Sequence, residues 1–143
     1  MRDTILYGDC LQTLDTLKSH ISIGICDKPR MCVTSPPYYG LRDYGGEDNQ
    51  IGHEDTPEEF ISNLVNIFSK VKDCLADDGT LWLNMGDSYY NYRPGKGQAL
   101  VKQSVANSKQ DLPDKCARRG NKLEGLKEKD LIGIPWMLAF ALR

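Results

Sequence analysis

Hydrophobic and polar positions change period several times along this chain, and each change marks an element. Thr4-Ile5-Leu6-Tyr7 is short, β-branched and apolar, and predicts a strand that Gly8-Asp9 breaks. Asp9 is a helix N-cap by residue type, and Leu11, Leu14 and Leu17 share one face of the helix it would open. Ile21 to Cys26 is apolar again and predicts a strand or the lead-in to one, closed by a turn at Asp27-Lys28-Pro29-Arg30. Met31-Cys32-Val33-Thr34 predicts a buried strand running straight into Ser35-Pro36-Pro37-Tyr38-Tyr39-Gly40.

From Gly40 to Asp55 glycines and charges predict a loop. Thr56-Pro57-Glu58-Glu59 is a strong helix start, with Thr56 as N-cap, Pro57 in the first helical position and Glu59 placed for a capping box. Phe60, Leu64, Ile67, Phe68, Val71 and Leu75 continue at helical spacing until Gly79. Thr80 to Met85 predicts a strand that stops at Gly86-Asp87. Apolar periodicity is lost from Tyr90 to Gly125 and returns as helical spacing through Leu131, Ile134, Met137, Leu138 and Leu142, with Pro135 placed to start or kink a helix. Strands alternating with helices predict an α/β layered sheet. Ligand sites in such sheets lie beyond the carboxyl ends of the strands. Gly8-Asp9, Ser35-Pro36-Pro37-Tyr38 and Gly86-Asp87 each follow a predicted strand, so all three are expected on one edge.

Composition narrows the classes. The 143 residues fit one domain, with 40% hydrophobic and 27% charged residues and a net charge of −2. No apolar run approaches a membrane span, and Met1-Arg2-Asp3-Thr4 does not open a secretory signal, which predicts a cytoplasmic protein without membrane contact. Five cysteines without a C-x-x-C, and two isolated histidines, argue against a disulfide framework or a metal site. Charge is unevenly spread: from Tyr92 to Lys129 there are ten Lys/Arg against four Asp/Glu. This stretch, at about 92–125, is expected to be a mobile basic insertion and a candidate polyanion contact, although charge alone fits a solvated loop equally well.

The chemistry concentrates at Thr34-Ser35-Pro36-Pro37-Tyr38. Two successive prolines remove two N–H donors, so the carbonyls around Ser35 and Pro36 project as acceptors with no donor beside them. Such acceptors suit an amino group whose nitrogen lone pair must attack a methyl sulfonium, and Tyr38 offers a flat face for a planar base. Two plainer readings stand beside this one. Pro-Pro after a strand is often a rigid turn, and Pro36-Pro37-Tyr38-Tyr39 also fits the Pro-Pro-x-Tyr pattern that WW domains bind.

Four stretches in order carry a resemblance. Leu6-Tyr7-Gly8-Asp9-Cys10, Thr34 to Tyr44, Asp78 to Tyr89 and Asp130 to Trp136 together resemble the amino-methyltransferase family of DNA-modifying enzymes, in the permuted class whose catalytic motif precedes the cofactor glycine loop. The resemblance implies a Rossmann-like, S-adenosylmethionine-dependent fold of which residues 1–143 form the N-terminal part, an incomplete sheet with flanking helices. It implies Ser35, Pro36, Pro37 and Tyr38 as catalytic residues, and Gly8, Asp9, Thr34 and Asp87 beside the cofactor. It implies double-stranded DNA as substrate, with the target base flipped out of the stack and the enzyme acting in restriction-modification. Arg42, Arg93, Lys96, Arg118 and Arg119 are then candidate DNA contacts. Ser35 at the head of the motif favours cytosine N4 over adenine N6. Protein-glutamine methyltransferases also use a Pro-Pro-Tyr motif, but their cofactor loop comes well before it, and nothing before Ser35 resembles one.

The pattern departs from the family in one respect. The Asp-Pro-Phe-x-Gly-x-Gly type of loop is absent before Arg143, and Gly95-Lys96-Gly97 follows no predicted strand. The expectation is a longer natural protein or a truncated reading frame, with negligible activity and weak cofactor binding for the chain alone. A DNA-binding remnant without turnover is the alternative.

Overall fold

Cys10–Ser22 forms helix α1 because Asp9 caps it: the Asp9 carboxylate accepts from the backbone N–H groups of Leu11 (2.9 Å) and Gln12 (3.2 Å). The computed structural model describes residues 4–41, 50–90 and 123–143. Four elements follow α1: strand β1 (Met31–Thr34), helix α2 (Pro57–Cys74), strand β2 (Thr80–Leu83) and helix α3 (Ile134–Leu142). The architecture is a small α/β arrangement with three helices and a two-stranded parallel sheet, β1 beside β2, in the register Met31↔Thr80 to Thr34↔Leu83.

The chain divides into two compact units. The first comprises Met1–Pro36, Ile61–Met85 and Trp136–Arg143; the second comprises Pro37–Phe60 and Gly86–Pro135. In the first unit the buried side chains are Ile61, Leu64, Phe68, Val71 and Cys74 of α2, with Leu138 of α3. Their spacing is the one-sided apolar pattern of an amphipathic helix. Lys18–Asp73 and Lys70–Asp15 ion pairs, both at 2.6 Å, and the Cys74 Sγ donating to the Leu14 carbonyl at 3.6 Å link α1 to α2. In the second unit Gly52, Pro57, Phe60, Tyr90 and Ile134 are buried.

Several expectations are corrected. Residues 4–7 form no strand, and Ile5, Leu6 and Tyr7 are exposed. A strand is defined by a ladder with a neighbour, and the sheet of the described residues consists of β1 and β2 only. Ile21 to Cys26 is not a strand either. The helix begun at Asp9 runs through Ser22, five residues past Leu17, and turns over Ile23 and Gly24. β1 is not buried on both faces: its exposure alternates, as does that of β2. β2 ends at Leu83 rather than Met85. Leu131 belongs to no helix; it bridges Tyr89 in antiparallel fashion, and α3 starts at Ile134 with Pro135 in its first turn.

The N-cap of α2 holds as read. Thr56 Oγ1 accepts from the Glu59 N–H at 3.2 Å. The parallel register brings the carboxyl ends of β1 and β2 to the same edge, where the Asn84 N–H donates to the Thr34 carbonyl at 3.0 Å. Ser35 and Asn84 therefore leave the sheet side by side. Ser35, which opens one of the three polar turns, thus leaves at the carboxyl edge as expected, whereas Gly8-Asp9 follows no strand and opens α1 instead.

Candidate active site

Ser35 and Pro36 continue β1 out of the first unit; Ser35 is exposed and Pro36 half-buried. No hydrogen bond among the described residues engages the carbonyls of Ser35, Pro36 or Pro37. The acceptor row inferred from the two prolines is thus left without a donor, since neither ring nitrogen has a hydrogen to give.

Pro37 and Tyr38 open the second unit, and Tyr38 is half-buried against glycine backbone. A Cβ added at Gly86 would lie 3.1 Å from Tyr38 Cε2 and 3.4 Å from Cδ2, so the ring rests where only a glycine leaves room. On the main-chain side, a Cβ at Gly52 would lie 2.9 Å from the Tyr38 carbonyl oxygen. The Gly40 N–H donates to the Gly52 carbonyl at 2.8 Å, which fastens residues 50–52 alongside the motif. The next residue, Tyr39, points into the unit's core. Its ring lies 5.4 Å from that of Phe60, tilted by 45°, and its hydroxyl donates to the Asp55 carbonyl at 3.4 Å. Adjacent tyrosines thus divide the labour, Tyr39 anchoring the loop and Tyr38 lying on Gly86.

Residues after β2 hold this loop from another direction. The Ser88 hydroxyl donates to the Tyr39 carbonyl at 2.7 Å, and the Ser88 carbonyl accepts from the Ile132 N–H at 2.9 Å. The Asp87 carboxylate accepts from the N–H groups of Gly133 (3.0 Å), Ile134 (2.9 Å) and Ser88 (2.8 Å). Gly133 has φ +91°, and this conformation aims its N–H and the next one at a single acceptor. Asp87 is in effect the N-cap of α3, supplied from a distant part of the chain.

The structure places Gly8 and Asp9 at the head of α1, and Gly8 adopts φ +121°. Both capping bonds of Asp9 fall on Oδ1, and the residue is exposed. Thr34, half-buried, closes β1. Arg42, Arg93, Lys96, Arg118 and Arg119, and nearly all of the basic insertion, lie outside the described residues. Gly52 and Ser88 were not singled out from sequence, and Gly86 was read only as part of the Gly86-Asp87 turn. Gly86 carried a faint signal, a glycine directly after a strand; Gly52 and Ser88 carried none, because their partners are distant in the chain. Among the described residues no group of three His, Cys, Asp or Glu side chains is disposed to hold a metal, and no helix is long and apolar enough to cross a membrane.

In the second unit the half-buried Tyr38 ring thus lies against the Gly86 backbone, and in sequence it directly follows carbonyls that accept no hydrogen bond among the described residues. Residues 30–125 match the DNA methylase family of N6 and N4 type, and the chain belongs to that family. It is 47% identical over 140 residues to the type II methyltransferase M.Cfr9I of Citrobacter freundii, an alignment covering 98% of this chain and 41% of that protein. M.XycI of Xanthomonas campestris pv. cyanopsidis gives the same identity and coverage, and M.SmaI of Serratia marcescens is 43% identical over 144 residues. The chain therefore spans about two-fifths of the length of these relatives. No solved structure matches it significantly.

Proposed function

We propose that this chain carries the catalytic motif of a site-specific DNA methyltransferase that transfers a methyl group to the exocyclic N4 amino group of cytosine. The observation that carries the reading is Tyr38, whose ring lies against Gly86 and which follows in sequence the donor-free carbonyls of Ser35, Pro36 and Pro37. Those carbonyls accept from the amino N–H groups of the base and raise the availability of its nitrogen lone pair. Tyr38 stacks on the base and fixes its plane, so that the lone pair points in line for attack. The target must leave the duplex to reach the ring, so the substrate is double-stranded DNA with the base flipped out. Methylation of host DNA in a restriction-modification setting is the corresponding biological role, in keeping with relatives named type II methyltransferases.

S-adenosylmethionine supplies the methyl group when bound. Asp9 fits a contact to it: the carboxylate is exposed and its Oδ2 is free of the capping bonds that occupy Oδ1. Gly8 beside it allows close approach of a ligand to the backbone. Asp87 fits less well, because its carboxylate is committed to the amides that open α3. We assign cofactor contact to Gly8, Asp9 and Thr34 and a bracing role to Asp87. The Rossmann-like sheet of such an enzyme requires elements beyond the two strands described here, in keeping with the longer relatives.

Mass analysis of nucleosides from cells expressing the protein tests the reading. N4-methylcytosine is the expected product. N6-methyladenine would move the target to adenine while keeping the site; a Tyr38→Ala variant as active as the parent would remove the site itself.

A further inference from the structure

We propose that Gly86 and Ser88 are positioning residues for Tyr38: the three-residue stretch Gly86-Asp87-Ser88 sets the plane of the ring on which the target base stacks. The inference rests on the reading of Tyr38 as the stacking residue, and it adds how that ring is kept in place.

Each residue of the stretch makes a different contact. Gly86 supplies the seat, because any Cβ there meets Tyr38 at 3.1 Å from Cε2, 3.4 Å from Cδ2 and 3.8 Å from Cζ. Ser88 holds the main chain beyond the ring, through its 2.7 Å bond to the Tyr39 carbonyl. Asp87, between them, is tied to the amides of Gly133 and Ile134, and the Ser88 carbonyl to the amide of Ile132, so the stretch cannot slide. Ring and backbone of the Tyr38-Tyr39 pair are thus referenced to one short segment. A tyrosine side chain on a loop has several staggered rotamers open to it, and contact with backbone narrows them. Seating it on backbone and clamping the following carbonyl removes that freedom before a base arrives. Pre-organisation of this kind acts on turnover more than on ground-state affinity.

Two measurements test the proposal. In NMR spectra of the chain, the Gly86 α-protons are expected to be displaced from ordinary glycine positions by the ring current of Tyr38, against which they lie. Ser88→Ala is expected to collapse that shift and Ser88→Thr, which keeps the hydroxyl, to retain it. In methylation assays of the protein, Ser88→Ala and Gly86→Ala are expected to lower kcat on the order of 10- to 100-fold with the KM for S-adenosylmethionine within about twofold, and Ser88→Thr to restore most of the rate. Gly86 α-protons at ordinary positions in the parent chain would overturn the proposal, as would Ser88→Ala with unchanged Tyr38 resonances. Tyr38→Ala inactive beside a fully active Ser88→Ala would sink the positioning role alone. Tyr38→Ala fully active would sink the stacking reading while leaving the seat as geometry. If Ser88→Ala fails to fold, the parent shift and the Ser88→Thr variant still decide.

Discussion

Gly52 lies so close to Tyr38 that a single added carbon would stand 2.9 Å from the Tyr38 carbonyl oxygen, and 3.6 Å from Pro37 Cβ. Its backbone is also in the left-handed region, at φ +94°. Both facts oppose any side chain, and a backbone carbonyl cannot swing aside as a flexible side chain would. Gly52→Ala is expected to destabilise the fold by roughly 1–3 kcal/mol, the cost of a strained non-glycine conformation, with the close contact pushing toward the upper end. Urea denaturation checks this; an unchanged midpoint would mean that residues 50–52 do not pack on the motif.

Asp87 gathers three backbone N–H groups on one carboxylate, two of them opening α3. Asp87→Ala is expected to cost about 1–2 kcal/mol, as loss of a helix cap does, and Asp87→Asn less, because the amide oxygen still accepts. If Asp87 instead served chiefly as a cofactor contact, Asp87→Ala would weaken S-adenosylmethionine binding and leave the melting temperature in place. Thermal melts with and without the cofactor separate the two outcomes.

Local patterns in the sequence carried α1, α2 and their caps, because Asp9 and Thr56 bond to amides two or three residues away. Met31–Thr34 and the β2 core were legible for the same reason, as was the shared edge at which Ser35 and Asn84 emerge. Strand formation at residues 4–7 was not decidable locally: an apolar, β-branched tetrapeptide is a strand only where a partner exists. The roles of Gly52, Gly86 and Ser88 were illegible because their partners, Tyr38 and Tyr39, lie 14 to 49 positions away and no periodicity encodes such contacts. Asp87 was noticed for its place after a strand and read as a ligand contact. Its bonds to Gly133 and Ile134 emerge only once the chain has folded back.

The buried spine of α2 sets the stability of the chain. Phe60 and Leu64 are fully buried, and each is one turn from the next core position of the helix. Phe60→Ala is expected to cost about 3–5 kcal/mol and Leu64→Ala about 2–5 kcal/mol. Phe60→Ala has a further consequence, since it removes the ring against which Tyr39 packs. Denaturant titration by circular dichroism measures both; costs under about 1 kcal/mol would contradict the burial.

Lys18 and Asp73 give a pH dependence of known sign. The Lys18 ammonium, bonded to Asp73 at 2.6 Å, holds the Asp73 carboxyl below the usual carboxylate range, and Asp73 raises Lys18 in return. A lowered carboxylate stabilises the fold above its ordinary pKa and loses that contribution as pH falls through the folded value. A raised lysine stabilises below its ordinary pKa and loses it as pH rises through the folded value. The pair therefore supports the fold across the neutral range and fades at both ends. Its exposure to solvent keeps the effect small and sensitive to salt. Asp73→Asn is expected to flatten the acid limb of denaturation midpoint against pH, most visibly at low ionic strength. An acid limb identical to the parent's would show that the pair does not persist in solution.

The parallel register places Met31, Val33, Thr80 and Trp82 on one face of the sheet, and that face is open: Met31 is 59% exposed, Val33 67% and Trp82 60%. Apolar groups on a two-stranded sheet, with unpaired strand edges beside them among the described residues, form a surface that associates with whatever apolar partner is present. The chain by itself is expected to bind a hydrophobic dye and to self-associate with rising concentration. Val33→Thr combined with Met31→Thr is expected to reduce both effects. Threonine keeps the β-branched fit to a strand, and side chains already in water lose little burial, so stability is expected to change by less than about 0.5 kcal/mol per site. Light scattering and dye fluorescence on matched samples check the prediction. A double variant that aggregates like the parent would show that this face is covered in solution, and a variant that unfolds would show that Met31 and Val33 are core residues after all.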